Sequence, residues 1–567
     1  TNVTMILPSF TYNDSLNKSL PTFVKNNLTN ISILSSFDAK GNLLTLSQSD
    51  GVNNLTRTNT FNSLNDLTSE TDAKGNTTNY IYSNGNLTAK IQPIGATNYG
   101  YNSNGTLATV TNPSGIITTN TYNIYGNLIS KSLGGTITTQ YTYDDASRLI
   151  STINPMNVAT NYTYNEFDNK TSEIVDATGL SIGTQYGFDA NDNKISITNA
   201  LGGITAMTYD SQDELIQQTF GGNSKHYEYN EDGTIKKFTT QNGVDFNYTY
   251  NADGLLLSDG YVTKTYNTDN TVSTITKANR TITYGYDNFK RINSVSYNDF
   301  ANNTVTYQYD NNSNITQINY PNNVFIAKYI YDANNRLTQV KDGNTNSLLA
   351  TYTYFADGRL QRQDNANGTY TTYTYDAIGR MTGLGNYNSS DTVIAEYTFT
   401  LDNNDNHALE TSNIPNGLAM PSITSMMTSG TYTSNHVNTY GGANYTSDAN
   451  GNIVSTNNSL NYTWDTKDNL MTYTNNGVIT NYEYDPLENR RRRNNSLFVL
   501  DPLQNANVLM ETDTNGNPIS IYVHGLGLVC RLSANTVSKS FYHYDFRGST
   551  VAITNDAQIV THRYLYG

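Results

Sequence analysis

The chain has 567 residues and a formal net charge of −15, although only 14 % of its residues are charged. This acidic balance argues against a nucleic-acid partner, because no basic face is visible in the sequence. Hydrophobic residues make up only 36 %, and 46 residues are tyrosine. Since tyrosine combines apolar area with a polar tip, the composition favours tyrosine-lined sheets next to solvent over a dry core.

A short unit recurs from the start of the chain: an aromatic residue followed by a turn residue, in most copies Asp or Asn, and in many copies preceded two positions earlier by another aromatic. The aromatic before the turn stands at Phe37, Phe61, Tyr82, Tyr101, Tyr122, Tyr143, Tyr164, Phe188, Tyr209, Tyr229 and Tyr250. These steps of 19 to 24 residues are too short for two helices and a turn. They are long enough for two strands and two turns.

The most complete copy of the unit is Tyr373–Arg380, with the sequence YTYDAIGR. On a strand, Tyr373 and Tyr375 point to the same face. Asp376 is predicted to open a tight turn, and Gly379 to close it by adopting a positive φ before Arg380. The same structural role is predicted for two further copies, which contain Tyr141, Tyr143 and Asp144, and Tyr329, Tyr331 and Asp332.

A second set of turn signals lies between the tyrosine units. It includes the segments Asp72–Asn76, Asn112–Gly115, Asp176–Gly179 and Asn199–Gly203. Each repeat is therefore predicted to be a β-hairpin, and successive hairpins to form one antiparallel ribbon. No window keeps a helical apolar period over three turns. The predicted fold is all-β, a hairpin ribbon stabilised by the stacking of neighbouring repeats.

The repeat loosens at about residue 401 and changes character after residue 493. Residues 1–400 are predicted to form the repeat body, and 401–442 an irregular insertion or plug with two prolines and three methionines. Further repeats are expected over 443–493. The last region, 494–567, has longer strands with turn signals at Asp513–Asn517 and His524–Gly527.

The repeated units and the tail together resemble the YD repeats of the RHS family, which bacterial polymorphic toxins, insecticidal toxin complexes and animal teneurins share. About twenty units at one spacing are a specific signal, whereas one unit is weak. The region 494–567 resembles the RHS-repeat-associated core of that family. The core motif consists of Tyr542, Tyr544, Asp545, Gly548, Ser549, Arg563, Tyr564, Tyr566 and Gly567.

The resemblance implies a ribbon that spirals into a hollow, solenoid-like or barrel-like shell, closed at one end by the core region. In toxin members a variable C-terminal domain is held inside and released by an aspartate-based self-cleavage site beyond the core. Because that stretch lies beyond Gly567, no catalytic residue is carried over. The first hypothesis is a non-enzymatic shell that encloses and helps deliver a C-terminal toxin or effector.

The alternative hypothesis is an extracellular structural or adhesive protein, in which open strand edges pair head to tail into a filament. Neighbouring shell subunits, or a glycan or protein on a cell surface, would then be partners. The composition favours a secreted or surface protein of bacterial origin. No run of 18 apolar residues predicts a membrane span, and no cofactor is predicted.

Candidate chemical sites are weak. His543 and Asp545 share a strand face by alternation alone, which gives little support for catalysis. Asp448 and Asp513 begin segments that resemble a calcium loop, but the Glu that would complete an EF-hand is missing, so plain turns are predicted and no metal site is assigned.

Two other features have structural interpretations. Alternating arginines of the run Arg490–Arg493 are expected to pair with carboxylates. The alternative interpretation is that the run contacts a partner. Cys530, the one cysteine, lies in an apolar run and is predicted to be a buried small hydrophobe.

Overall fold

The computed structural model describes residues 9–13, 19–25, 31–415, 430–433, 436–440, 442–457, 459–534 and 538–565. These residues form 54 β-strands and one short 3₁₀ turn, Pro321–Asn323, with no α-helix among them. Each strand pairs antiparallel with the next strand in the sequence except after residues 247 and 413, and these two breaks divide the strands into three sheets. The prediction of an all-β, antiparallel hairpin fold is therefore confirmed.

The first sheet has 23 strands. They are β1 (Ser9–Thr11), β2 (Phe23–Lys25), β3 (Ser32–Phe37), β4 (Leu43–Ser49), β5 (Asn54–Phe61), β6 (Leu67–Thr71), β7 (Thr77–Ser83), β8 (Asn86–Gln92), β9 (Gly95–Tyr101), β10 (Leu107–Thr111), β11 (Ile117–Tyr122), β12 (Leu128–Leu133), β13 (Ile137–Tyr143), β14 (Leu149–Ile153), β15 (Ala159–Tyr164), β16 (Lys170–Val175), β17 (Ile182–Phe188), β18 (Lys194–Thr198), β19 (Ile204–Tyr209), β20 (Leu215–Phe220), β21 (Asn223–Tyr229), β22 (Ile235–Thr239) and β23 (Asp245–Asn247).

The second sheet has 16 strands. They are β24 (Thr249–Tyr250), β25 (Leu256–Ser258), β26 (Thr263–Tyr266), β27 (Val272–Lys277), β28 (Arg280–Tyr286), β29 (Ile292–Tyr297), β30 (Thr304–Tyr309), β31 (Ile315–Asn319), β32 (Ile326–Tyr331), β33 (Leu337–Asp342), β34 (Leu348–Tyr354), β35 (Leu360–Asn365), β36 (Tyr370–Tyr375), β37 (Met381–Tyr387), β38 (Val393–Leu401) and β39 (His407–Asn413).

The third sheet has 15 strands. They are β40 (Gly430–Thr433), β41 (His436–Tyr440), β42 (Ala443–Ser447), β43 (Ile453–Thr456), β44 (Leu460–Trp464), β45 (Leu470–Asn475), β46 (Val478–Tyr484), β47 (Arg490–Arg493), β48 (Ser496–Asp501), β49 (Asn507–Thr512), β50 (Pro518–His524), β51 (Leu528–Ser533), β52 (Lys539–Tyr544), β53 (Thr550–Asn555) and β54 (Val560–Arg563).

The ribbon continues without a gap from the first sheet to the second. β23 and β24 are separated only by Tyr248, whose backbone N–H donates to the Lys236 carbonyl at 2.9 Å. The two sheets are thus successive parts of one ribbon, as the regular repeat predicts.

The hydrophobic core lies between the second and third sheets. Its fully buried members come from both sheets and include Val295, Val305, Ile318, Leu509 and Phe541. In the described part of the first sheet, by contrast, buried hydrophobic residues are few. Cys530 belongs to the core and is completely buried, as predicted.

The second sheet returns to the first at a row of turns. Lys74, in the turn after β6, forms an ion pair with Asp310 in the turn after β30 at 3.1 Å. In the same place, the Asn312 amide donates to the Asp72 carboxylate at 2.6 Å. Residues about 240 positions apart therefore meet, and we call this row of contacts the first seam.

The third sheet returns to the second in the same way, along a second seam. The Tyr261 hydroxyl donates to Asp465 Oδ2 at 2.7 Å, and Lys277 pairs with the same carboxylate at 3.1 Å. Further along, Arg491 pairs with Asp299 at 2.5 Å. Here the partners are about 190 to 205 positions apart in sequence.

The region 401–442 contains regular strands where it is described. β38 ends within it, and β39, β40 and β41 follow, while residues 416–429 lie outside the described residues. The proposed boundaries of the insertion and of the other regions stay predictions. Among the described residues, no helix has the length and apolar character needed to cross a membrane.

Candidate functional site

The turn at Asp376 shows how the tyrosine–aspartate unit folds. Asp376 Oδ1 accepts the backbone N–H groups of Ile378 at 3.1 Å and Arg380 at 2.9 Å. The Gly379 N–H donates to the Asp376 carbonyl at 3.0 Å, with Gly379 at φ 89°. The pairing of β36 with β37 shifts register between Thr374 and Tyr375. This is a tight turn followed by a β-bulge that requires a left-handed residue.

Copies without the glycine keep the same turn. Ser147 and Asn335 take the left-handed position at φ 62° and 60°, in the units of Asp144 and Asp332. Short polar residues such as Asn tolerate this conformation better than bulky ones. Units that lack the glycine of the complete motif therefore preserve the backbone of the turn.

The arginine of the unit connects each turn to the next repeat. Arg380 Nε donates to Asp376 Oδ2 at 2.7 Å, and its Nη1 donates to the Asp402 carbonyl at 2.7 Å. Burial raises the pKa of Asp376, but the hydrogen bonds from the Arg380 backbone and guanidinium outweigh burial and hold this pKa below its ordinary value. The same link joins Arg336 to Asp332 and to the Phe355 carbonyl.

The second tyrosine of the unit connects each turn to the preceding repeat. Its hydroxyl donates, at 2.5 to 3.0 Å, to a backbone carbonyl 10 to 17 residues earlier; the donors are Tyr122, Tyr164, Tyr209, Tyr229, Tyr250, Tyr266, Tyr286, Tyr309, Tyr331, Tyr354, Tyr375 and Tyr544. In the unit that carries Trp464, the indole N–H donates to Ile453 in the same manner. We call this row of bonds the tyrosine ladder.

The structure places the predicted motif tyrosines in different surroundings. Tyr331 and Tyr375 are in the ladder, whereas Tyr143 does not form this bond within the described residues. The first tyrosine of a unit faces the core where a core exists, since Tyr329 is only 6 % exposed. Tyr141, in the first sheet, is half-buried.

The C-terminal region packs against the second sheet through buried polar links. The Tyr307 hydroxyl donates to Asp501 Oδ1 at 2.9 Å. Burial raises the pKa of Asp501 above its ordinary value and outweighs the bond from Tyr307. The Tyr320 hydroxyl donates to the Tyr522 carbonyl at 2.6 Å, and Arg563 Nη1 donates to the Ile394 carbonyl at 2.7 Å.

Most residues of the predicted core motif lie in this packed region. Asp545 Oδ1 accepts the N–H of Ser549 at 2.8 Å, and Gly548 has φ 79°, so this unit folds like the earlier ones. Tyr542 and Tyr544 are half-buried, and Tyr564 is exposed. Tyr566 and Gly567 lie outside the described residues.

The arginine run is used for structure. Arg491 is buried, pairs with Asp299 and lies over the Tyr297 ring at 3.6 Å. Arg492 pairs with Glu483 at 3.4 Å. Arginines of the run thus pair with carboxylates, but the two that do so are adjacent and not alternating as predicted.

The weak chemical candidates are also structural. His543 is buried, and its Nε2 contacts Thr554 Oγ1 at 2.9 Å; burial lowers the pKa of His543 to about 4. Asp513 accepts the backbone N–H and side-chain amide of Asn517, and Asp448 does the same with Asn452. The described residues contain no group of three or more His, Cys, Asp or Glu placed to hold a metal ion.

Sequence reasoning missed the residues that form the seams. Asp299, Asp501 and Asn386 make long-range contacts; Asn386 Nδ2 donates to the Tyr544 carbonyl at 3.0 Å. Nothing in their local sequence marks them, because they lie in or beside turns like those of other repeats. The one sequence signal for such a contact was the run Arg490–Arg493, which predicted acidic partners.

These features define an antiparallel repeat protein whose turns are tied together in rows. A family model described as RHS Repeat matches residues 356–386, which contain β35, β36 and all but the last residue of β37. The recognition of RHS/YD repeats from the tyrosine–aspartate units is thereby confirmed.

Several solved structures are similar over most of the chain. One is TcdB2-TccC3 without its hypervariable C-terminal region, with a TM-score of 0.49 and 12 % identity, covering 95 % of this chain and 35 % of that one. Another is TcdB2-TccC3-TEV, with a TM-score of 0.46 and 12 % identity, covering 95 % of this chain and 32 % of that one. The Photorhabdus luminescens Tc holotoxin pore also matches, with a TM-score of 0.36 and 14 % identity, covering 95 % of this chain and 27 % of that one. This chain spans about a third of the length of the first two chains. No curated protein matches it in sequence.

Proposed function

We propose that this chain is the wall of a hollow, non-enzymatic β shell that encapsulates and helps deliver a C-terminal toxin or effector domain. The observation that carries the proposal is the return of the ribbon onto itself along two seams. A ribbon that meets itself at regular intervals winds around a space, whereas an open sheet of the same length does not.

The seams also give the size of the enclosed space. Between the turns of Asp72 and Asp310 lie 24 strands, β7 to β30. At about 4.8 Å per strand, one circuit of the ribbon has a perimeter of about 115 Å. Between the turns of Asp259 and Asp465, the described residues contain 19 strands, β26 to β44. This second return of the ribbon to an earlier row of turns supports a continuous wall.

The C-terminal region suits the role of a closing element. It buries Val499, Met510 and Val523 against the second sheet, and buried polar links fix its position. A cover of this kind would hide the exposed apolar surface and unpaired strand edges of a poorly folded cargo. A bacterial, secreted or surface location fits this function, and the cargo domain and neighbouring subunits are the proposed partners.

The test uses the full-length protein with its proposed C-terminal cargo domain. We expect a hollow, closed particle by electron microscopy and a cargo domain that resists protease until the shell is opened with denaturant. A cargo that is cleaved, or that is folded and active, while the shell remains intact contradicts encapsulation.

The alternative, an extracellular structural or adhesive protein, has one specific observation in its favour. Every residue of β39 is exposed, and among the described residues β39 pairs only with β38. Its free edge could take a strand from another molecule. Light scattering together with electron microscopy of the purified chain separates the two functions. Long particles with an axial repeat would favour the filament, and monomers at high concentration would favour the shell.

A further inference from the structure

A cavity of about 440 Å³ lies between the second sheet and the C-terminal region. Its walls are largely apolar; they include Leu360, Tyr373, Met381 and Leu384 on one side and Leu528 and Phe546 on the other. This volume is within the range of small-ligand sites, which are mostly apolar with a few polar groups.

The acidic group in this cavity is the carboxylate of Asp545; the amide of Gln363 also lines it, and its Nε2 donates to Asn365 Oδ1 at 2.9 Å. Asp545 is 7 % exposed. Its Oδ1 accepts the backbone N–H groups of Arg547 at 2.9 Å and Ser549 at 2.8 Å. Its Oδ2 has no hydrogen-bond or ion-pair partner among the described residues. This oxygen is not fully sealed from solvent, and a carboxylate oxygen without a protein partner can accept a hydrogen bond from a ligand.

The other repeats show what normally fills this position. Four residues after the Asp, an arginine donates from Nε to Asp Oδ2 at 2.7 to 2.8 Å in the units of Asp144, Asp287, Asp332 and Asp376. An asparagine amide does so in the units of Asp72, Asp310 and Asp513. In the unit of Asp545 this residue is Ser549, whose side chain is too short to take that role.

The neighbouring cations do not replace the missing partner. The Arg547 guanidinium lies over the Phe546 ring at 4.5 Å and pairs with Glu410 at 3.2 Å, while Arg563 Nη1 donates to the Ile394 carbonyl. Three aromatic residues, Tyr373, Tyr544 and Phe546, line the cavity together with Asp545. Aromatic rings next to a carboxylate favour an organic cation.

We propose that this cavity is a binding site for an ammonium, amidinium or guanidinium group carried on an apolar frame. The cation binds Asp545 Oδ2, where other repeats place an arginine, and the apolar part of the ligand contacts Met381, Leu384 and Phe546. Two sources offer this chemistry: a small free amine, and a basic side chain of a polypeptide. The site does not depend on closure of the shell.

The probe is benzamidine, with benzamide as its neutral counterpart, and binding to the chain is measured by isothermal titration calorimetry. We expect benzamidine to bind and benzamide not to bind. Asp545→Asn weakens the binding at least tenfold. This variant keeps the fold because Asn123 and Asn165 accept the same pair of backbone N–H groups in their own turns.

A second variant, Ser549→Arg, supplies an internal guanidinium to Asp545 and abolishes benzamidine binding without removing the carboxylate. The matched control is Asp210→Asn, because Asp210 opens an equivalent turn with Glu214 four residues later and does not line this cavity. We expect the Asp210→Asn variant to bind benzamidine as the unchanged chain does. A capped peptide with one arginine, with its citrulline form as the neutral counterpart, distinguishes the two sources of the cation. Tighter binding of the arginine peptide than of benzamidine indicates a polypeptide side chain, and weaker binding indicates a small free amine. Equal binding of benzamide, unchanged binding by Asp545→Asn, or no binding of any cationic probe overturns the proposal.

Discussion

Two side chains of each complete unit act on neighbouring repeats in opposite directions. In one unit the Tyr331 hydroxyl donates to the Ile315 carbonyl of the preceding repeat. Arg336, in the same unit, donates to the Phe355 carbonyl of the following repeat. The tyrosine ladder and the arginine links therefore bind the row of turns together, and the Asp orients the arginine and closes its own turn.

Removal of one hydroxyl from the ladder tests its contribution. Tyr331→Phe leaves the Ile315 carbonyl without its donor, and we expect a loss of about 1 kcal/mol in the free energy of unfolding. The denaturant midpoint measures this change. Tyr125→Phe is the control, because Tyr125 is 79 % exposed. Equal effects of the two substitutions would show that the ladder does not contribute.

A second prediction concerns the buried carboxylate of Asp501. Burial raises its folded-state pKa, so its charged form costs stability as the pH rises from the ordinary Asp range toward neutrality. Asp501→Asn still accepts the Tyr307 O–H, and we expect it to stabilise the protein at pH 7 by on the order of 1 kcal/mol. The gain in melting temperature should shrink toward pH 4. Asp145→Asn, at an exposed turn position, is the control; a destabilised Asp501→Asn protein would contradict this account.

At the scale of the element, the stable piece is the turn with its bulge, and the strands are short connections between turns. Most strands have five to seven residues, and those of the first sheet bury few side chains completely. The carboxylates of the turns therefore carry an unusual share of the local order.

Acid should weaken the turns together. Hydrogen bonds hold the pKa of Asp144, Asp402 and Asp513 below the ordinary value. The stability from these bonds is present above about pH 4, where an unfolded Asp is ionised, and is lost as the pH falls through the folded-state pKa. We expect the denaturant midpoint to fall between pH 4 and pH 2. A chain with Asp144→Asn and Asp402→Asn should show a smaller decrease, and an unchanged decrease would argue against the turns as its source.

At the scale of the whole molecule, the seams decide whether the ribbon closes around a space. The pentapeptide DAKGN occurs twice, as 38–42 and 72–76. Lys74 forms an ion pair with Asp310 across the first seam, whereas Lys40 donates to the Ser63 carbonyl of a nearby turn. One local sequence thus serves two different long-range roles.

This pair of lysines provides a matched test of the seam. Lys74→Glu places a negative charge beside Asp310 and Asp72, and we expect faster hydrogen exchange in the turn 310–314, by about twofold to fivefold. The expected energy is modest because partly exposed ion pairs contribute about 0.5 to 1 kcal/mol. Lys40→Glu, in the same pentapeptide, should leave this turn unchanged. Identical exchange in both variants would count against the seam.

The hairpins were predictable from the sequence and the seams were not. Alternation in segments such as YTYDAIGR and the positive-φ residue at Gly379 fix strand pairing, register and bulge, because a slip of one residue would move every side chain to the other face. The contacts of Lys74 and Asp310 depend on how many repeats one circuit contains. That number follows from the accumulated twist and curvature of many strands, which no local pattern encodes.

The candidate site likewise has features that were predictable from the sequence and features that were not. The Asp and Tyr roles followed from the unit itself, and Asp545 was assigned to the core motif. Its missing partner at Ser549 becomes meaningful only when the cavity beside Tyr373 is known, since 172 residues separate Tyr373 from Asp545. The Asp501–Tyr307 bond was equally hidden.

The identity of the turns along each row sets a rule for how such chains change length during evolution. A gain or loss of one whole repeat moves all later turns by one position along the seam, where each meets another turn of the same construction. A gain of half a repeat adds one strand, so that all later strands run in the opposite direction. The turns from the other end of the strands would then lie at the seam. Relatives of this chain should therefore differ in steps of about 21 residues, and their insertions of other lengths should lie within turns.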